Sequence, residues 1–123
     1  MPDAIRIEAD GAAGLDRTQA WLSRHRGRTV ELDRTLQLEF GVPISGAGAV
    51  LVAVTVEDAG SQTPQIGGIV RAIADRADSN LVRLVFEGRS PAHLDHDLAR
   101  SLAERTLGVI TRLVLDELAE EVA

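Results

Sequence analysis

The chain has 123 residues, enough for one domain with a real core, and carries a net charge of −6 with a sequence pI near 5.0. An acidic chain with only 2% aromatic residues lacks the basic surface and the stacking side chains of nucleic-acid-binding proteins, and has the wrong charge for an anionic membrane. We therefore predict no nucleic-acid partner and no membrane partner.

The chain contains neither cysteine nor lysine, and their absence excludes several chemistries. Without cysteine there are no disulfides, thiolate metal sites or cysteine nucleophiles, and without lysine there is no Schiff-base chemistry. An all-arginine set of basic residues in an alanine-rich chain is typical of bacteria with GC-rich genomes. The start of the chain does not resemble a signal peptide, so we expect a cytoplasmic protein.

The first predicted elements are a strand and a helix. Residues 4–9 alternate between apolar and charged side chains, which indicates a short strand with one face in water. From about Ala13 to Arg26 the apolar residues recur with a helical period. Gly27 follows at the position where a left-handed C-cap residue is expected.

The stretch from Val30 to Val56 has apolar residues at almost every even-numbered position, which is the period of a strand. The segment from Pro43 to Gly48 breaks this pattern and predicts a reversal of the chain. We therefore predict a hairpin, whose first strand is interrupted near Asp33 and Arg34.

A second helix is predicted from Thr63 to about Ala77. Thr63 followed by Pro64 is a good helix start, with a hydroxyl cap and a proline in the first turn. Apolar residues then follow at helical spacing: Ile66, Ile69, Val70, Ile73 and Ala77. Gly67 and Gly68 would each weaken such a helix by about 1 kcal/mol relative to alanine, so we expect a close approach of another backbone there.

The last predicted elements are a strand over Leu81–Glu87 and a helix from Ala92 to about Glu121, preceded by a second start signal at Ser90 and Pro91. At 1.5 Å per residue this helix would be roughly 45 Å long, more than a domain of this size can cover. It should therefore bend, break near Gly108, or reach a partner.

The order of these elements predicts an α+β domain over residues 1–123. Residues 1–89 match the βαββαβ pattern of a ferredoxin-like sandwich, and residues 90–123 add a long C-terminal helix. We expect this helix, or a second copy of the chain, to cover the open face of the sheet.

Two polar clusters are candidate sites. His93, His96 and Asp97 stand at i, i+3 and i+4 in the first turns of the last helix, a spacing that suits zinc, manganese or iron; the alternative is an exposed polar helix start. Glu57 and Asp58 follow the second hairpin strand and could bind a ligand; the alternative is a solvated acidic turn.

No catalytic constellation and no cofactor motif is recognised, so the main functional hypothesis is an association module rather than an enzyme. It is a non-enzymatic adaptor or accessory subunit that forms a homo-oligomer, or binds another protein, through an apolar stripe on the C-terminal helix. The stripe comprises Leu107, Ile110, Leu113, Val114 and Leu118. The alternative is a small enzyme or ligand-binding protein with a pocket on the open sheet face and a His/Asp metal site.

Overall fold

The computed structural model describes residues 4–11, 14–32, 36–41, 49–56, 66–75, 81–90 and 95–122. Within these ranges the chain forms six strands and two helices. They are β1 (Ala4–Asp10), α1 (Leu15–Arg24), β2 (Thr29–Leu32), β3 (Leu36–Phe40), β4 (Ala49–Val56), β5 (Ile66–Ala74), β6 (Val82–Arg89) and α2 (His96–Val122).

The strands form one antiparallel sheet with the order β1-β6-β5-β4-β3-β2. Strands β2 to β5 each pair with the next strand in sequence, and β1 pairs with β6, with Ile7 opposite Phe86. The predicted α+β class with a C-terminal helix is therefore confirmed.

One face of the sheet forms the core with both helices. Leu38 and Phe40 of β3 and Val50, Val52 and Val54 of β4 are buried, as the alternating pattern predicts. The apolar stripe of α2 packs on β1, β5 and β6, while Trp21 and Leu22 bring α1 into the same core over β4 and β5. Both helices thus lie on one side of the sheet.

The segment predicted as the second helix is strand β5, so the ferredoxin-like βαββαβ topology is not confirmed. Ile66, Val70 and Ala72 are buried, whereas Ile73 on the opposite face is exposed, which is a strand period. The proposed start at Thr63 and Pro64 lies outside the described residues. As a further correction, β1 is an edge strand and not a central one.

The glycines of β5 and β6 explain why a strand forms here. Gly68 lies opposite Gly88, and a Cβ on Gly68 would come within 2.5 Å of the Glu87 carbonyl oxygen and 2.8 Å of the Phe86 ring. The two backbones and the ring can approach this closely only because these positions lack side chains. A close backbone approach was expected at Gly67 and Gly68, but it is between strands.

Both helices are close to the predicted ranges. Helix α1 is followed by Gly27 at φ 75°, the left-handed conformation expected of its cap. Helix α2 has 27 residues and continues through Gly108, so it does not break there. The predicted turn at 43–48 and the interruption at Asp33 and Arg34 lie outside the described residues.

Candidate functional site

A groove of about 210 Å³ lies between α1 and the C-terminal part of α2. Each helix lines it with four residues at i, i+3, i+4 and i+7, the positions that share one helical face. The residues from α1 are Arg17, Ala20, Trp21 and Arg24, and those from α2 are Val114, Glu117, Leu118 and Glu121. On α1, two apolar residues stand between two arginines, so the groove has an apolar middle and charged ends.

Trp21 forms a rigid part of the groove floor. Its ring stacks on His25 at 3.8 Å between centroids, and it meets Phe40 edge-on at 5.7 Å. The His25 Nδ1–H donates a hydrogen bond of 2.8 Å to the Trp21 carbonyl, which fixes the imidazole against the indole. The indole is therefore held from several sides, and it presents a preformed apolar surface rather than one that must be ordered on binding.

Two ion pairs cross the groove, one at each end. Arg17 pairs with Glu121 and Arg24 pairs with Glu117. Three of the four side chains are largely exposed, Arg17 at 59%, Glu121 at 49% and Arg24 at 56%, whereas Glu117 is half-buried at 27%. Exposed pairs of this kind contribute about 0 to 1 kcal/mol, so a ligand that carries its own charges can replace them at low cost.

The groove is suited to a small molecule. Its volume corresponds to about seven waters at roughly 30 Å³ each, and a cavity of about 150 Å³ is enough to bind benzene. Sites for drug-sized ligands are larger, from about 300 Å³ upwards. We therefore expect an occupant with one ring or an equivalent short chain.

The charged cluster around Arg83, on the outer face of the sheet, differs from the groove. Arg83 lies 3.2 Å from Asp75, 3.6 Å from Asp10 and 4.0 Å from Glu8. The hydrogen bond to Asp75, followed by the charges of Asp75, Asp10 and Glu8, raises the pKa of Arg83 above its already high ordinary value. This arginine therefore stays cationic and ties β1, β6 and the end of β5 together.

The predicted metal site lies at the start of α2, and the structure describes two of its three residues. His96 is half-buried and Asp97 is exposed, while His93 lies outside the described residues. The Asp97 N–H donates to Asp95 Oδ1 at 3.0 Å, an arrangement that caps the helix start. Within the ranges that the structure describes, no three His, Asp or Glu side chains form a metal-binding group, and the metal site stays a prediction.

The remaining candidates have two different outcomes. Glu57 and Asp58, the predicted ligand residues, lie outside the described residues. The proposed interface stripe is turned towards its own sheet: Leu107 and Ile110 are fully buried, Val114 is 4% exposed, and Leu113 and Leu118 are half-buried. Its apolar surface is largely used within the chain, and Val114 and Leu118 also line the groove.

The charged groove residues were not singled out by the sequence. Arg17, Arg24, Glu117 and Glu121 are not among the candidate residues that the sequence predicts. The available signal was the shared spacing, two arginines seven residues apart on α1 and two glutamates four residues apart on α2. That spacing shows which residues share a face of each helix, but it does not show that the two faces meet.

The helices were also compared with what a membrane span requires. Among the residues that the structure describes, no helix is both long enough and apolar enough to cross a membrane.

No protein-family model and no curated protein matches the chain. Among solved structures, the chain is similar to the Zhui aromatase/cyclase from Streptomyces sp. R1128, at 18% identity and a TM-score of 0.45, over 98% of this chain and 95% of the other. It is also similar to a START superfamily protein from Mycobacterium smegmatis, at 12% identity and a TM-score of 0.43, over 98% and 99% of the two chains.

The main functional hypothesis, an adaptor that self-associates through its C-terminal helix, is wrong. The reason is physical and lies within the chain, where the stripe on α2 packs against β1, β5 and β6 and is largely used in the chain's own core.

Proposed function

We propose that this chain is a small ligand-binding protein and that its ligand lies in the groove between α1 and α2. The observation that carries the proposal is the groove itself, an apolar floor around a fixed Trp21 between two exposed ion pairs. Ligand sites commonly combine a mainly apolar lining with a few polar groups that orient the ligand. The site differs in place from the pocket expected on the open sheet face, because it lies between the helices.

Trp21 gives a direct assay for this proposal. It is the only tryptophan in a chain without tyrosine, so indole emission reports on the groove floor alone. Titration with neutral, cationic and anionic single-ring compounds should change the emission of Trp21 and raise the melting temperature with at least one of them, because a ligand that binds only the folded state stabilises it.

A matched pair of variants tests the location. Ala20 lines the groove and is exposed, so Ala20→Leu should fill part of it and weaken binding by about tenfold or more. Ala119 is also exposed and helical but does not line the groove, so Ala119→Leu should bind as the wild type does. The proposal is overturned if no compound changes the emission or the melting temperature, or if both variants bind equally well.

A further inference from the structure

The two ends of the groove are surrounded by different charges, and from this difference we infer that the groove selects a zwitterion. The ligand would be a short molecule with an apolar middle, an ammonium group at one end and a carboxylate at the other. The inference rests on the proposed function, and it assigns the chemical class of the ligand and its direction in the groove.

The end formed by Arg17 and Glu121 is the negative one. Asp16 precedes Arg17 on α1, and Glu120 precedes Glu121 on α2; both are exposed. Asp16 and Glu120 therefore add two negative charges next in sequence to the Arg17–Glu121 pair, although neither residue lines the groove. An ammonium group that displaces Arg17 from Glu121 enters a region of negative potential.

The end formed by Arg24 and Glu117 is the positive one. Arg26 and Arg28 follow Arg24 in the chain, and against them stand Glu117 and the exposed Asp116. The Nε of Arg26 is buried and has no hydrogen-bond partner within the described part of the chain. Neither Arg26 nor Arg28 lines the groove, but both add positive charge beside the end where a ligand carboxylate would take the place of Glu117.

Side chains, rather than helix dipoles, produce this polarity. Arg17 pairs with the later glutamate and Arg24 with the earlier one, so α1 and α2 run antiparallel here and their dipoles oppose each other. The ends are about 10.5 Å apart, which is more than the Debye length of about 8 Å at physiological salt but well within the length of about 30 Å at 0.01 M, so the difference between them acts across the groove in low salt.

The length of the groove matches a single ring with a charge on each side. Arg17 and Arg24 are seven residues apart on α1, which corresponds to about 10.5 Å along the helix axis. A six-membered ring carrying an aminomethyl group and a carboxylate at opposite positions can extend towards both ends while its ring contacts Trp21 and Leu118. Binding in the reverse direction would place the carboxylate at the end with more carboxylates and the ammonium group at the end with more arginines.

Four probes that share one ring separate the contributions of charge and of apolar contact. They are 4-(aminomethyl)benzoate, benzylamine, benzoate and benzyl alcohol, each titrated against Trp21 emission in low salt. We expect 4-(aminomethyl)benzoate to bind most tightly, by about tenfold or more over benzyl alcohol, and its advantage to shrink as salt is added.

Charge variants assign the direction. Glu121→Gln should weaken the two probes with an ammonium group, and Arg24→Gln should weaken the two with a carboxylate, while benzyl alcohol binds each variant as it binds the wild type. Glu104→Gln and Arg112→Gln are controls, because both residues are exposed on α2 and neither lines the groove. The controls should leave all four affinities unchanged.

The outcomes distinguish this inference from the function on which it rests. If benzyl alcohol binds as tightly as the zwitterion, or if Glu121→Gln and Arg24→Gln weaken all four probes equally, the groove binds ligands without selecting their charge, and only the inference fails. If no probe changes the emission of Trp21 or the melting temperature, the proposed function fails together with it.

Discussion

The sheet side and the helix side of the molecule are packed in opposite ways. On the sheet side, around Gly68, Gly88 and Phe86, two backbones and an aromatic ring approach so closely that there is no room for a single methyl group. On the helix side, between α1 and the end of α2, a groove of about 210 Å³ remains beside a fixed tryptophan. The first region can contribute only to stability, whereas the second has room for a ligand.

This difference separates two uses of apolar residues. Side chains that fill space contribute dispersion contacts and are costly to remove, because the cavity left behind does not collapse completely. Side chains that border an open groove have fewer neighbours, so they can be exchanged at lower cost and are free to contact a ligand. Substitutions on the two sides should therefore change the free energy of unfolding by different amounts. At chosen glycines the cause should differ as well, steric contact on the sheet side and backbone conformation on the helix side.

The largest expected effect is at Phe86, which is fully buried against the glycines of β5 and β6. Phe86→Ala should lower the free energy of unfolding by about 3–5 kcal/mol. Leu118→Ala, at the half-buried wall of the groove, should lower it by less than about 2 kcal/mol, below the usual range for a buried leucine. Urea unfolding of both variants measures the difference, and equal losses would show that the groove is packed as tightly as the sheet.

The next effect comes from one methyl group at neighbouring glycines of β5. Gly68→Ala should cost about 1–3 kcal/mol, because its Cβ would lie 2.5 Å from the Glu87 carbonyl oxygen. Gly67→Ala is the matched control: its Cβ would meet only the Val52 carbonyl oxygen at 3.7 Å, an ordinary contact. We expect Gly67→Ala to unfold at the same urea concentration as the wild type or a slightly higher one, and a similar loss in both variants would argue against the close packing described.

The smallest effects are expected at two glycines of the helix side. A Cβ there would meet nothing within 4 Å, so the change in stability depends on backbone conformation alone. Gly108→Ala, in the middle of α2, should stabilise the fold by up to about 1 kcal/mol, because alanine is the better helix former. Gly27→Ala should destabilise it by about 1 kcal/mol, because the residue holds φ at 75°. Thermal unfolding should shift in opposite directions, and shifts of the same sign would mean that packing matters there too.

The sequence predicted those parts of the fold in which the spacing of the apolar residues fits only a strand or only a helix. The alternation through β3 and β4 fits only a strand, and the stripe of α2 fits only a helix. At β5 the residues Ile66, Ile69, Val70 and Ile73 satisfy both patterns, and a good helix start upstream favoured the wrong one. Gly67 and Gly68, poor helix residues between β-branched ones, were the signal for a strand.

The groove could not be predicted in the same way. Each of its walls is visible in the sequence as four residues at helical spacing, but Arg17 and Glu121 stand near opposite ends of the chain. Only the packing of α1 and α2 on one sheet brings them together. The proposed metal and interface residues were chosen from single helices, where the partner surface was not known.

The strand order has a consequence for how the chain folds. Strands β2 to β6 pair with their neighbours in sequence, so this part of the sheet can form by successive short loop closures. Strand β1 pairs only with β6, and α2 then packs on both, so these contacts join the two ends of the chain. Such distant contacts close late because of their entropic cost. During synthesis, β1 therefore has no strand of this sheet to pair with until β6, which ends at Arg89, has been made.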